Sequence, residues 1–139
     1  MRDRYEEIIK EVLDEIAVAL EDSKGIVFHQ RRLAFSLSLG AVTLIEIYLE
    51  KKNVLKQGGK INHLWLKKNK ENAKKLISSQ ITSPIENLKE IDKLSELAFE
   101  IEHKRNELAY GPLASEKILR EKIDLFLEMK REVDEDAGN

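Results

Sequence analysis

The sequence predicts an all-α fold, a single-domain antiparallel bundle of about five helices. Apolar residues recur at three- and four-residue spacings almost throughout, which is the pattern of helices that bury one face. Only two prolines and six glycines interrupt the 139 residues, so the chain has few obligatory helix breaks. The intervals left between periodic segments are short, and short connections favour antiparallel neighbours. A chain of this length with 42% apolar residues can bury one core and is too short for two.

A first helix is expected over residues 3–22, with Tyr5, Ile8, Ile9, Val12, Leu13, Ile16 and Ala19 or Leu20 inward, closed by Ser23-Lys24-Gly25. The second, over 26–52, is the most apolar. Leu33, Leu37, Ala41, Leu44 and Tyr48 form one stripe, and Phe35, Leu39, Val42 and Leu49 another; two stripes predict a central helix touched on two sides. Residues 53–60, with Gly58-Gly59, read as a loop. A third helix over 61–79 turns Ile61, Leu64, Ala73, Leu76 and Ile77 inward.

Ser83-Pro84 supplies a capping hydroxyl and a proline suited to the first helical position, so a fourth helix is expected over 84–110, stopped by Gly111-Pro112. Ser115 can cap a fifth over 115–132, with Ile118, Leu119, Ile123, Phe126 and Leu127 or Met129 inward. The domain is then 1–132. Residues 133–139, acidic and poor in apolar side chains, read as a flexible tail. The second and fourth helices are expected inside.

Cysteine is absent, which excludes disulfides and thiolate chemistry. No basic-then-apolar leader opens the chain and no apolar run approaches the roughly 20 residues that cross a bilayer, so a cytoplasmic protein without membrane association is expected. Charged residues make up 36%, mostly Glu and Lys, a balance common in proteins from hot environments. Phosphate-loop and dinucleotide fingerprints are missing, as is any nucleophile elbow. His29 and His63 are isolated in the sequence and no His-Glu-x-x-His spacing occurs, so neither a metal nor a cofactor is expected.

The most informative segment is Arg105-Asn106-Glu107-Leu108-Ala109-Tyr110-Gly111. On a continuous helix Arg105 falls on the stripe of Leu94, Ala98, Ile101 and Leu108, facing the interior. Burying an unpaired guanidinium costs roughly several kcal/mol, so Arg105 must meet a buried carboxylate or line a polar site. Glu46, embedded among Leu39, Val42 and Leu49 on the central helix, is the carboxylate expected to pair with it, either as a lock between helices or as one wall of a ligand-binding cleft. Arg105 heads a candidate catalytic set with Asn106, Tyr110 and His103. His103 lies seven positions before Tyr110 and projects the same way, with Asn106 and Glu107 between.

This segment resembles the motif of the HEPN family of small helical bundles: an Arg-Asn pair near a helix end, a ring-bearing residue five positions after the Arg, and a preceding long apolar helix with an embedded Glu. The resemblance implies a HEPN-like bundle, a homodimer whose motif helices build a composite cleft, and the activity of metal-independent ribonucleases, many of them toxins with a protein antitoxin as partner. Arg105 and Asn106 take the places of the motif Arg and its polar neighbour. Tyr110 stands where the family has His, and a phenol with a pKa near 10 transfers protons poorly at neutral pH. A domain that binds RNA, a nucleotide or a protein partner without efficient catalysis is therefore expected, with ribonuclease activity through His103 or Tyr110 as the alternative.

Charge distribution adds ligand-binding candidates. Residues 51–75 hold nine lysines against the single acid Glu71, with His63 and Trp65 interleaved. Lys67 and Lys68 would attract phosphates, and Trp65 would stack a base, unless the lysines are a solvated face and Trp65 belongs to the core or an interface. Glu107 is a further candidate on the polar side of the motif. The first helix is acidic, and a contact between it and the lysines of another copy is also open.

Overall fold

The structure, a computed structural model, describes residues 2–66 and 69–136. It is an all-α bundle of α1 (Arg2–Glu21), α2 (Gln30–Lys51), α3 (Lys70–Ser78), α4 (Ile91–Glu102), α5 (Arg105–Tyr110) and α6 (Glu116–Asp136). Single 3-10 turns, Ile26–His29, His63–Leu66 and Ile85–Asn87, precede α2, α3 and α4. The long loop after α2 is tied to the segment after α3 by an isolated antiparallel bridge between Leu55 and Ile81.

The central position expected for the second helix is found. α2 packs against α1, α4, α5 and α6, burying Leu33, Leu37, Ala41, Leu44 and Tyr48. At Gly40 it approaches α6 so closely that a Cβ would lie 2.5 Å from Cε1 of Phe126. Its second stripe is only half buried: Val42 and Leu49 are inside, whereas Phe35 and Leu39 are exposed. Ile26–Lys51 is, among the described residues, long and apolar enough to cross a bilayer, contrary to the expectation from sequence, but 72% of its most apolar window is buried within the bundle.

Three other expectations are corrected. Residues 61–66 are not part of α3: His63–Leu66 forms a 3-10 turn, and α3 begins only at Lys70, where the side chain of Asn69 accepts from the amide of Asn72. α6 runs on to Asp136 and buries Val133, so the helix continues into the segment read as a tail; residues 137–139 lie outside the described ones. Ser115 does cap α6, accepting from the amide of Ile118. Ser83 does not cap: its hydroxyl is buried without a partner, and Pro84 opens only a 3-10 turn.

The correction that matters most is a break in the expected fourth helix. α4 ends at Glu102; His103 is extended, Lys104 adopts the left-handed conformation with φ 62°, and α5 starts afresh at Arg105. Neither glycine nor proline marks the place. The break is held from α6, whose Lys122 ammonium donates to the carbonyls of Glu100 and His103, satisfying acceptors that the end of α4 leaves open and placing a cation at the negative end of the helix. Burial pushes the Lys122 ammonium below its ordinary pKa. At its other end α5 is fastened to α2 by Gln30. The buried Gln30 amide donates to the carbonyls of Leu108 and Pro112 and accepts from the amide of Ala114.

Candidate functional site

Because α5 is a new helix, Arg105 leaves the stripe of Leu94, Ala98 and Ile101 and stands at the rim of the bundle, its side chain 15% exposed. The guanidinium lies over the ring of Phe35 on α2, 4.9 Å from the centroid, an arrangement that favours the cation through the ring quadrupole. Its Nη1 donates to Asn106 Oδ1 at 3.0 Å. Its Nε faces Glu102 Oε1 at 3.9 Å, within ion-pair range but beyond a hydrogen bond, and is buried without an acceptor. Tyr110 completes the rim: its exposed ring meets Phe35 edge-on, 5.9 Å between centroids.

Behind the guanidinium is a carboxylate that sequence reasoning missed. Glu102, the last residue of α4, is buried. Its Oε2 accepts from the hydroxyl of Ser38 on α2 at 2.6 Å, and its Oε1 from Nδ1 of His63 at 3.0 Å. A buried carboxylate is tolerated when its lone pairs are matched in this way. Glu102 thus joins α2, α4, the 3-10 turn before α3 and the start of α5 at one point. A signal for Ser38 and Glu102 existed, since each is a polar residue within a buried stripe; nothing in the sequence singles out His63 as the partner of Glu102 across 39 positions.

Glu46 is buried, as expected, but it does not meet Arg105. Its Oε2 accepts the amide of Ile61 at 3.0 Å and its Oε1 lies 3.5 Å from Nη2 of Arg4 on α1, so it anchors the chain where it leaves the long loop. Burial, followed by the charges of Glu46 and Glu50, pushes the neighbouring Tyr5 phenol up to about 12. Glu46 lines a groove of about 560 Å³ whose walls include Arg4, Lys60, His63 and Trp65. Trp65 is partly buried against the core with one side on this groove.

Other expected site residues go elsewhere. His103 is exposed and rests its ring on Phe99, 5.9 Å between centroids; with Glu107 and Lys122 it lines a separate groove between α5 and α6. The break turns His103 away from the register that would align it with Tyr110. Lys67 and Lys68 lie outside the described residues. Elsewhere in the lysine-rich segment, Lys74 pairs with Asp92 at 2.7 Å and Lys56 donates to the carbonyl of Ser79, so part of that charge is held within the molecule. Lys60 is exposed beside the groove.

The arrangement therefore provides a guanidinium fixed in orientation at a rim, with Asn106 Oδ1 its one hydrogen-bond acceptor among the described residues, beside an exposed aromatic pair. Comparison of the chain with family models, with characterised proteins and with solved structures finds no match.

Proposed function

We propose that the chain is a HEPN-like helical domain that binds single-stranded RNA, or a nucleotide, through its phosphate at Arg105, in a cleft completed by a second copy. The observation that carries the reading is the posture of Arg105, clamped between Phe35, Asn106 and Glu102. A planar cation held in this way meets a phosphate without first losing side-chain freedom, and its remaining N–H groups suit two-point contact with phosphate oxygens. Tyr110 and Phe35 offer rings for a base, and Lys60 and Arg4 draw the strand along the adjacent groove.

The exposed side chains of Leu39 and Leu64, on the groove that also holds His63, are the surface on which the second copy would close. With Tyr110 in place of the motif imidazole, the motif residues themselves support binding rather than proton transfer at neutral pH.

The test is fluorescence anisotropy of a labelled single-stranded RNA at low salt, with wild type and Arg105→Ala, alongside sedimentation of both proteins. The reading predicts RNA binding by a dimer, about tenfold weaker without Arg105, the effect of one charge-assisted contact. Absence of binding by wild type, or equal binding by the variant, rejects it.

A further inference from the structure

We propose that the cavity between α1, α2 and α6 binds a small aliphatic primary amine in its ammonium form. The cavity has a volume of about 440 Å³, within the range of small-molecule sites. It shares no wall residue with the groove of Glu46 and His63, and Arg105 is not part of it, so it stands apart from the phosphate-binding reading. Its walls include the aliphatic side chains of Ile9 from α1, Leu44 and Ile47 from α2 and Val133 from the last turn of α6.

Two polar atoms of residues in this wall lack a hydrogen-bond partner. Tyr5 is 3% exposed, and its hydroxyl is buried without one, as is Oε2 of Glu50. Glu46, the other carboxylate that acts on this phenol, is engaged by the Ile61 amide and by Arg4. Buried polar atoms ordinarily find partners, and two exceptions on one cavity point to a ligand that supplies them.

Their chemistry selects the head of that ligand. An ionised carboxylate oxygen only accepts, and a phenol oxygen accepts as well as donates. An ammonium has three donors and a charge opposite to that of Glu50, so it can serve both atoms at once; a hydroxyl brings a single donor, and an acid brings acceptors and a repelled charge. The lysines on the cavity do not take this role: Lys130 donates to Asp134 at 2.6 Å, and Lys10 and Lys51 are exposed. α2 and α6 both end beside the cavity whereas only α1 begins there, and helix C-termini carry partial negative charge that favours a cation. The aliphatic walls select the body, since each carbon of an alkyl chain laid against them leaves water at a gain.

The experiment titrates hexylammonium, hexanol and hexanoate into the full chain at neutral pH and follows the backbone amides by NMR, with wild type, Glu50→Gln and Tyr5→Phe; thermal unfolding of each protein is measured alongside. Hexylammonium is expected to bind wild type at least about tenfold more tightly than either control, the factor for a hydrogen bond to a charged group, and to shift amides of residues on the cavity. Glu50→Gln is expected to remove that preference while changing hexanol affinity less than about twofold. Tyr5→Phe is expected to weaken hexylammonium about threefold, as for one neutral hydrogen bond.

The three ligands put the question to wild type without a mutation. Absence of shifts with hexylammonium, equal binding of hexanol, tighter binding of hexanoate, or undiminished hexylammonium affinity in folded Glu50→Gln overturns the proposal. Nα-acetyl-lysine amide carries the same head on a peptide unit and is expected to bind more weakly, because its amides would meet apolar walls; tighter binding than hexylammonium overturns the free amine as ligand in favour of a lysine of a peptide.

Discussion

The guanidinium of Arg105 rests on the ring of Phe35, 4.9 Å from its centroid, although the two residues belong to different helices and stand 70 positions apart. The contact sets where the cation points. Phe35→Ala should therefore weaken RNA binding severalfold, as expected for losing a cation–π contact of about 0.5–2 kcal/mol, while thermal stability changes little because Phe35 is exposed. Anisotropy titration against differential scanning fluorimetry separates the two effects; a large loss of stability with unchanged binding would show Phe35 to be a packing residue only.

Gln30 is the fastener of α5. Gln30→Leu fills similar space but strands the carbonyls of Leu108 and Pro112 and the amide of Ala114. With each unsatisfied buried group costing about 1–3 kcal/mol, the variant should lose at least about 2 kcal/mol in urea unfolding, and amides of residues 108–114 should exchange faster than those of α1. Unchanged exchange there would mean that α5 is held by its apolar contacts alone.

Much of the bundle was legible because its helices obey a 3.6-residue period, and the burial of Leu33, Leu94, Ile123 and Phe126 follows directly. What escaped was decided between distant segments. The break after Glu102 has no glycine or proline to announce it and depends on Lys122, about 20 positions on. Arg105 was expected to need a carboxylate, and it has one, but Glu102 rather than Glu46, because the break moves residue 105 out of the α4 register and Arg4 and the Ile61 amide already occupy Glu46. His63 looked isolated for the same reason: its partner is 39 residues away. Phe35 and Leu39 read as core, since periodicity shows that a stripe is apolar but not whether another element covers it.

The close approach of α2 and α6 at Gly40 gives a packing test. Gly40→Ala would put a Cβ 2.5 Å from the Phe126 ring, and Phe126 is fully buried, so the ring has nowhere to retreat. A loss of about 1–3 kcal/mol is expected, in the range for overpacked cores, with partial recovery in Gly40→Ala/Phe126→Leu. Wild-type stability in the single variant would contradict the interhelix distance.

The Tyr5 phenol, raised from 10 to about 12 by burial and by the Glu46 and Glu50 carboxylates, predicts a pH dependence. The folded state resists losing this proton, so the stabilisation is complete below pH 10, where the unfolded chain also keeps it. It is lost as pH rises from about 10 toward 12, because only the unfolded chain then ionises freely. Urea unfolding of wild type and Tyr5→Phe across this window checks the sign: wild type should fall more steeply. Parallel curves would show that Tyr5 is not held neutral.

The phosphate contact of Arg105 is tested most directly by the salt dependence of RNA affinity. Each phosphate neutralised on a single strand contributes a slope of about −0.7 in the logarithm of the association constant against the logarithm of salt concentration. Arg105→Ala should bind more weakly at every salt concentration and lower the magnitude of the slope by about that amount, whereas identical slopes and affinities for the two proteins would contradict the account.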